Sequence, residues 1–127
     1  MTLRVVIIED EVMLALLIED MLHDLGHEVV GVAARLPQAM QLARLADMDL
    51  AIVDVNLAGR KSFAVADMLN ERHIPFVFAT GYGPPDVEPP YSSAFVLMKP
   101  FGPDELTEAI RKIEHHAAAC AEVAPQR

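Results

Sequence analysis

The sequence lacks any apolar run that approaches the roughly 20 residues of a membrane-spanning helix, because charged or polar residues interrupt every candidate segment. It also lacks the marks of a signal peptide. The strand-like run at 3–8 follows the initiator methionine almost at once, with no basic region before it and no small-residue cleavage site after it. These absences predict a soluble, cytoplasmic protein with no membrane partner.

Cysteine and positive charge are scarce as well. Cys120 is the single cysteine, so the sequence offers neither a disulfide nor a cysteine-based metal site. Ten basic residues against nineteen acidic ones give a formal net charge of −9, which repels a phosphate backbone and favours cations such as Mg²⁺. We therefore expect a cationic partner and no nucleic-acid partner.

Short apolar runs alternate with helical patterns along the 127 residues, a length that is usual for one domain. The run at 3–8 is rich in β-branched residues, which is typical of a strand buried on both faces of a parallel sheet. The segment 11–25 then shows apolar residues at a helical period and ends at Gly26. The same alternation predicts strands at 28–33, 50–53, 76–79 and 94–98, and helices at 37–46, 62–72 and 103–118.

Proline interrupts the alternation after the fourth strand. Pro84, Pro85, Pro89 and Pro90 remove amide donors that the interior of a helix needs. We therefore expect the fourth helix to be short or irregular.

Strands that alternate with helices predict an α/β fold, in which a doubly wound five-stranded parallel sheet carries helices on both faces. No second hydrophobic pattern follows the last helix, so we expect one domain at 1–118, a short tail at 119–127 and no output domain. In such folds chemistry gathers at the carboxyl ends of the strands, where the strand order reverses.

Polar residues stand at four of these strand ends, and they are Glu9, Asp10, Asp54, Thr80 and Lys99. Three carboxylates in one cleft would repel one another unless a hard cation neutralised them, and an oxygen-only site suits Mg²⁺. The cation could hold one oxygen of a phosphoryl group on Asp54, while Lys99 and Thr80 take the other two. Each residue alone has a plainer interpretation, as a helix cap, a turn hydroxyl or a surface charge, and their conjunction at one edge indicates a site.

Four motifs carry a resemblance to response-regulator receiver domains over essentially the whole chain. They are Ile-Ile-Glu-Asp-Glu at 7–11, Ile-Val-Asp-Val-Asn-Leu at 52–57, Ala-Thr-Gly at 79–81 and Lys-Pro-Phe at 99–101. The resemblance implies a flavodoxin-like sheet with strand order 2-1-3-4-5. It also implies a two-component signalling protein that a sensor histidine kinase phosphorylates, and that catalyses only its own phosphotransfer and dephosphorylation.

The same resemblance implies a role for each acidic residue of the site. Asp54 would be the phosphoacceptor and a metal ligand. Asp10 would bind Mg²⁺ directly, and Glu9 would act mainly through a metal-bound water. The backbone carbonyl of Asn56 would complete the protein ligands.

The phosphoryl group itself would contact Thr80 and Lys99, as the resemblance implies. The peptide between Lys99 and Pro100 is expected to be cis, which an X–Pro bond can be at modest cost. With no output domain attached, the phosphorylated protein would act on a separate protein, or serve as a sink that draws phosphoryl groups away from another regulator.

One stretch resembles a narrower subgroup. Pro-Phe-Val-Phe-Ala-Thr-Gly-Tyr at 75–82 is similar to the signature of FATGUY receivers, whose usual partners are histidine kinases of the HWE type. Most receivers carry Tyr or Phe three residues before the lysine as a rotamer switch, whereas this sequence has Val96 there and Phe95 beside it. Tyr82 is therefore the aromatic candidate near the site.

Two alternatives to a phosphorylated receiver stay open at this point. A small haloacid-dehalogenase-like phosphatase also uses a strand-end aspartate with Mg²⁺, but Asn56 stands where that family has its second aspartate, and a cap domain is not evident. A receiver-like docking module that needs no phosphorylation is the other alternative. Replacing Asp54 with asparagine would leave the biology of such a module unchanged.

Overall fold

The computed structural model describes residues 2–81 and 95–123, with side chains described as far as His115. Tyr82, Ala94 and the proline-rich segment at 84–90, where the irregular fourth helix is expected, lie outside the described residues. Among the helices that are described, none is both long enough and apolar enough to span a membrane.

The described ranges contain seven strands and four helices. The strands are β1 (Arg4–Ile8), β2 (Glu28–Ala33), β3 (Leu50–Asp54), β4 (Asn56–Leu57), β5 (Arg60–Lys61), β6 (Phe76–Thr80) and β7 (Val96–Met98). The helices are α1 (Val12–Asp24), α2 (Leu36–Leu45), α3 (Phe63–Glu71) and α4 (Pro103–Val123). Apart from β4 and β5, all of them correspond to predicted elements.

Five of the strands form one parallel sheet in the order β2-β1-β3-β6-β7. With these five strands counted along the chain, this is the order 2-1-3-4-5, so the flavodoxin-like prediction is confirmed. The order reverses at β1, because β2 lies on one side of it and the later strands are added on the other. The carboxyl ends of β1 and β3 therefore border the crevice in which such folds place their chemistry.

Two apolar cores hold the helices against opposite faces of the sheet. In β1, Val6 and Ile8 pack with residues of α2 and α3, whereas Val5 and Ile7 pack with residues of α1 and α4. Successive side chains of a strand point to opposite faces, so the near-continuous apolar run supplies both cores at once. This explains why β3 is buried at every residue. The strand ends are consequently held on a rigid frame.

The last helix is longer than the sequence predicts. It was expected to end near Ala118, and it continues to Val123. The sequence at 117–119 is three alanines, the residue with the highest intrinsic helix propensity, so nothing local stops the helix there. The other predicted boundaries within the described ranges agree with the structure to within two residues.

A small hairpin between β3 and α3 was not predicted. Strands β4 and β5 pair in antiparallel fashion around Ala58 and Gly59, whose φ angles are 50° and 85°. Positive φ at both central residues is the geometry of the two-residue turns that suit twisted hairpins. Leu57 is 1% exposed and packs in the core, which anchors the hairpin to the domain.

Candidate functional site

The carboxyl ends of β1, β3, β6 and β7 meet at one edge of the sheet, and the predicted site residues lie there. Asp54 and Thr80 are the last residues of β3 and β6, while Glu9 and Lys99 directly follow β1 and β7. The backbone amide of Lys99 donates to the carbonyl of Thr80 at 2.9 Å, which places these two residues side by side. The fold thus gathers residues that are far apart in the sequence.

Glu9, Asp10 and Asp54 form an acidic cluster in which one carboxylate oxygen from each lies within 4.8 Å of the others. Glu9 is 2% exposed and Asp54 is 6% exposed, so water does little to screen their mutual repulsion. Asp10 is half-buried at the mouth of the cluster. The donor atoms are all oxygens, and this set fits a hard divalent cation such as Mg²⁺.

The ammonium of Lys99 bridges the two buried carboxylates. Its Nζ lies 2.8 Å from Oε1 of Glu9 and 3.1 Å from Oδ2 of Asp54. The second oxygen of Glu9, Oε2, accepts a hydrogen bond from the backbone amide of Glu11 at 3.0 Å. Lys99 is therefore positioned to neutralise the cluster and to meet any anionic group that is joined to Asp54.

Burial, followed by the negative charge of Glu9, raises the pKa of Asp54 to about 7, although Lys99 opposes the shift. Burial lowers the pKa of Lys99, but its hydrogen bonds and ion pairs with Glu9 and Asp54 outweigh burial and leave that pKa above the usual value. A second cation in the cleft would favour the ionised form of Asp54. Without a second cation, ionising Asp54 costs free energy, because it places a negative charge beside Glu9 in a buried site.

Asp10 lies between β1 and α1, and its carboxylate contacts the hairpin. Its Oδ2 accepts a hydrogen bond from the backbone amide of Ala58 at 3.0 Å. Burial raises the pKa of Asp10, but hydrogen bonds, above all the one from Ala58, outweigh burial and leave that pKa below the usual value. Apart from a glycine at position 59, no sequence pattern indicates this contact.

Two further hydrogen bonds fix Asp54. The backbone amide of Asn56 donates to Oδ1 of Asp54 at 3.2 Å. The hydroxyl of Ser62 donates to the carbonyl oxygen of Asp54 at 2.6 Å, and Ser62 is fully buried. Sequence reasoning placed Ser62 at the start of a helix, and its hydroxyl in fact makes no capping bond to α3. No local pattern could reveal a partner eight positions away across a hairpin.

The positions expected to modulate the site lie around β7. Phe95 and Val96 are half-buried and face opposite sides of the sheet. Phe95 packs against the core formed with α1 and α4, and Val96 packs against the core formed with α2 and α3. The peptide between Lys99 and Pro100 is cis. Tyr82 lies outside the described residues, so its place relative to buried Thr80 is not part of this geometry.

The sequence profile of the response regulator receiver domain matches residues 5–111. The chain belongs to this family. Receiver domains are signalling modules that pair with sensor kinases, and they generally bind Mg²⁺ at an acidic pocket of the kind that Glu9, Asp10 and Asp54 form here. The fold, the strand order and the acidic cluster of this receiver domain agree with that membership.

Curated relatives of this receiver domain are regulatory proteins. Transcriptional regulatory protein PdtaR of Mycobacterium tuberculosis is 33% identical over 111 residues, which are 84% of this chain and 54% of PdtaR. Phyllosphere-induced regulator PhyR of Methylorubrum extorquens is 34% identical over 115 residues, which are 87% of this chain and 43% of PhyR. The chain thus spans about half the length of the curated relatives that it matches.

Solved structures place the receiver domain near the same proteins. The solution structure of SdrG from Sphingomonas melonis Fr1 has a TM-score of 0.79 and 38% identity, covering 87% of this chain and 94% of that one. The crystal structure of the response regulator PhyR from Brucella abortus has a TM-score of 0.80 and 30% identity, covering 96% of this chain and 52% of that one. These neighbours are PhyR-like and SdrG-like receivers.

Proposed function

We propose that this receiver domain accepts a phosphoryl group from a sensor histidine kinase onto Asp54, with the help of Mg²⁺. The observation that carries the proposal is the geometry around Asp54. Its carboxylate stands beside Glu9 and Asp10 with Lys99 Nζ at 3.1 Å, so one edge of the sheet offers a nucleophile, a cation site and a fixed positive charge.

The Mg²⁺ would be held by Asp10, Asp54 and the backbone carbonyl of Asn56, with Glu9 acting through a water. Bound there, it would supply positive charge to the transferring phosphoryl group. The chain's own residues orient the site. The Asn56 amide donates to the Asp54 carboxylate and the Ser62 hydroxyl donates to the Asp54 carbonyl. The Ala58 amide donates to the Asp10 carboxylate.

Phosphoryl transfer then needs little of the protein beyond positioning and charge. A carboxylate oxygen of Asp54 forms a bond to phosphorus while the bond from phosphorus to the histidine nitrogen of the kinase breaks, and the leaving imidazole takes a proton from water. Lys99 would exchange its contact with the Asp54 carboxylate for a phosphoryl oxygen. The Thr80 hydroxyl, at the end of the neighbouring strand, would take another.

We further propose that the domain belongs to the FATGUY subgroup and is served by a histidine kinase of the HWE type. The supporting feature is the segment 75–82, together with Val96 in place of an aromatic switch residue. The similarity to SdrG and PhyR receivers is consistent with this, and PhyR from Bartonella quintana is an anti-anti-sigma factor. The phosphorylated domain would signal by binding another protein, or would drain phosphoryl groups from one.

Phosphotransfer profiling against the histidine kinases of the source organism tests this proposal. We expect an autophosphorylated HWE kinase to label the wild-type domain within minutes, and to leave Asp54→Ala unlabelled. Asp47→Ala is the matched control, because this carboxylate is 85% exposed and its ion pair within the described part of the chain is with Arg4 on the surface. Transfer that is equally strong to Asp54→Ala would contradict the acceptor, and transfer only from kinases of other types would contradict the partner.

A further inference from the structure

The hairpin between β3 and α3 reaches across the site to a residue of a different loop. Asp10 lies between β1 and α1, and Ala58 at the hairpin tip is 48 positions further along the chain. The backbone amide of Ala58 donates to Oδ2 of Asp10 at 3.0 Å. A metal contact made through the other oxygen, Oδ1, leaves this hydrogen bond intact.

The amide of Ala58 is held in place by the rest of the hairpin. Leu57, the residue before it, is buried in the core. After the hairpin, the Ser62 amide donates to the carbonyl of Val55 at 2.9 Å and the Ser62 hydroxyl donates to the carbonyl of Asp54 at 2.6 Å. These bonds close the loop onto the end of β3, so the tip has a fixed position over Asp10.

The backbone conformation of Ala58 also indicates a constrained position. Its φ angle is 50°, in the left-handed region that residues with a Cβ rarely adopt. Such a conformation persists where the surrounding structure over-determines it. Here Leu57 is buried on one side of the turn and the Ser62 bonds close the hairpin on the other, and the Ala58 N–H points at the Asp10 carboxylate.

We propose that the main-chain N–H of Ala58 is a positioning group for the metal site, which holds the Asp10 carboxylate in the orientation that a divalent cation needs. The inference rests on the proposed function, because it concerns the Mg²⁺ that the transfer to Asp54 would use. A carboxylate that is already oriented loses less rotamer freedom on binding, so metal affinity rises without any additional ligand. The Ala58 N–H would thereby tune the metal affinity without being a metal ligand itself.

Substitutions at the tip compare loss of the hydrogen bond with strain in the turn. Ala58→Pro removes the N–H and also the positive φ, because proline holds φ at about −65°, whereas Ala58→Gly keeps the N–H and accepts the positive φ. Gly59→Ala is the matched control for strain in the turn, since its φ is 85° and an added Cβ would meet no atom within 4 Å. The Mg²⁺ dissociation constant of each variant is measured by calorimetry with no phosphodonor present.

We expect Ala58→Pro to weaken Mg²⁺ binding by at least about fivefold, as follows from losing a hydrogen bond to a charged group. Ala58→Gly and Gly59→Ala should stay within about twofold of wild type. Equal Mg²⁺ affinity in all four proteins would overturn the positioning role. A wild-type domain that binds no Mg²⁺ would overturn the proposed function itself, so the two failures are distinguishable.

Amide hydrogen exchange of the metal-free protein gives a second measurement that does not depend on the proline variant folding. We expect the Ala58 amide proton to exchange at least about tenfold faster in Asp10→Ala than in wild type, while amides of the core strand β3 are unchanged. A solvated turn without the Asp10 contact would exchange at the same rate in both proteins, and that result would refute the proposal.

Discussion

Replacing Asp10 with alanine is expected to remove most of the Mg²⁺ affinity of this receiver domain and, with it, most of its phosphorylation. Only the carboxylates of Glu9 and Asp54 would then remain to bind Mg²⁺, which gives up its hydration water reluctantly. We expect the dissociation constant to rise by well over tenfold, since losing even an outer partner of a metal ligand costs roughly tenfold or more. Calorimetric titration with Mg²⁺ measures it.

Lys99→Ala is the informative counterpart, because it should separate metal binding from the response to phosphorylation. Lys99 Nζ lies within 3.1 Å of oxygens on both Glu9 and Asp54, so removing this cation leaves the cluster more negative. The variant should bind Mg²⁺ as well as wild type or better, and yet respond poorly to phosphorylation. Equal metal affinities in Asp10→Ala and Lys99→Ala would contradict this division of labour.

The second large effect is on stability without metal, and it follows from the raised pKa of Asp54. Between the unperturbed pKa near 4 and the folded-state pKa of about 7, the native protein keeps a proton on Asp54 that the unfolded chain has lost. Native protein then binds more protons, so this group makes the free energy of unfolding fall as pH rises through that window. The loss is complete above pH 7.

Asp54→Asn removes this titration while keeping the size of the side chain. In EDTA we expect the variant to match wild type near pH 4 and to exceed its free energy of unfolding by on the order of 2 to 4 kcal/mol at pH 8. Urea denaturation at pH 4, 6 and 8 measures the difference. Asp20→Asn, which changes an exposed carboxylate of α1, is the control for losing one negative charge. A difference that does not vary with pH would contradict the account of Asp54.

The sheet and its helices could be predicted from the sequence because their signals are local and repeated. The β-branched run of β1 and the helical period of α1 each appear within a few consecutive residues. Strand-end chemistry could be predicted for the same reason, since Glu9 directly follows β1 and Asp54 is the last residue of β3. Once parallel strands are assumed, their carboxyl ends must share an edge.

The hairpin and its contacts could not be predicted in this way. Two-residue hairpin turns favour asparagine or aspartate before glycine, whereas this turn has Ala58 before Gly59, so the usual signal is absent. Two-residue strands are also too short to show alternation. The bond from Ser62 to Asp54 and the bond from Ala58 to Asp10 depend on three-dimensional packing, which no local sequence pattern encodes.

The most direct test of the central claim is the mass of the intact domain after incubation with acetyl phosphate. With Mg²⁺ present, we predict that wild type and Asp47→Ala each gain one phosphoryl group, and that Asp54→Ala gains none. With EDTA in place of Mg²⁺, wild type should remain largely unmodified. An equal gain of mass in Asp54→Ala, or full modification of wild type in EDTA, would contradict a Mg²⁺-dependent phosphoacceptor at Asp54.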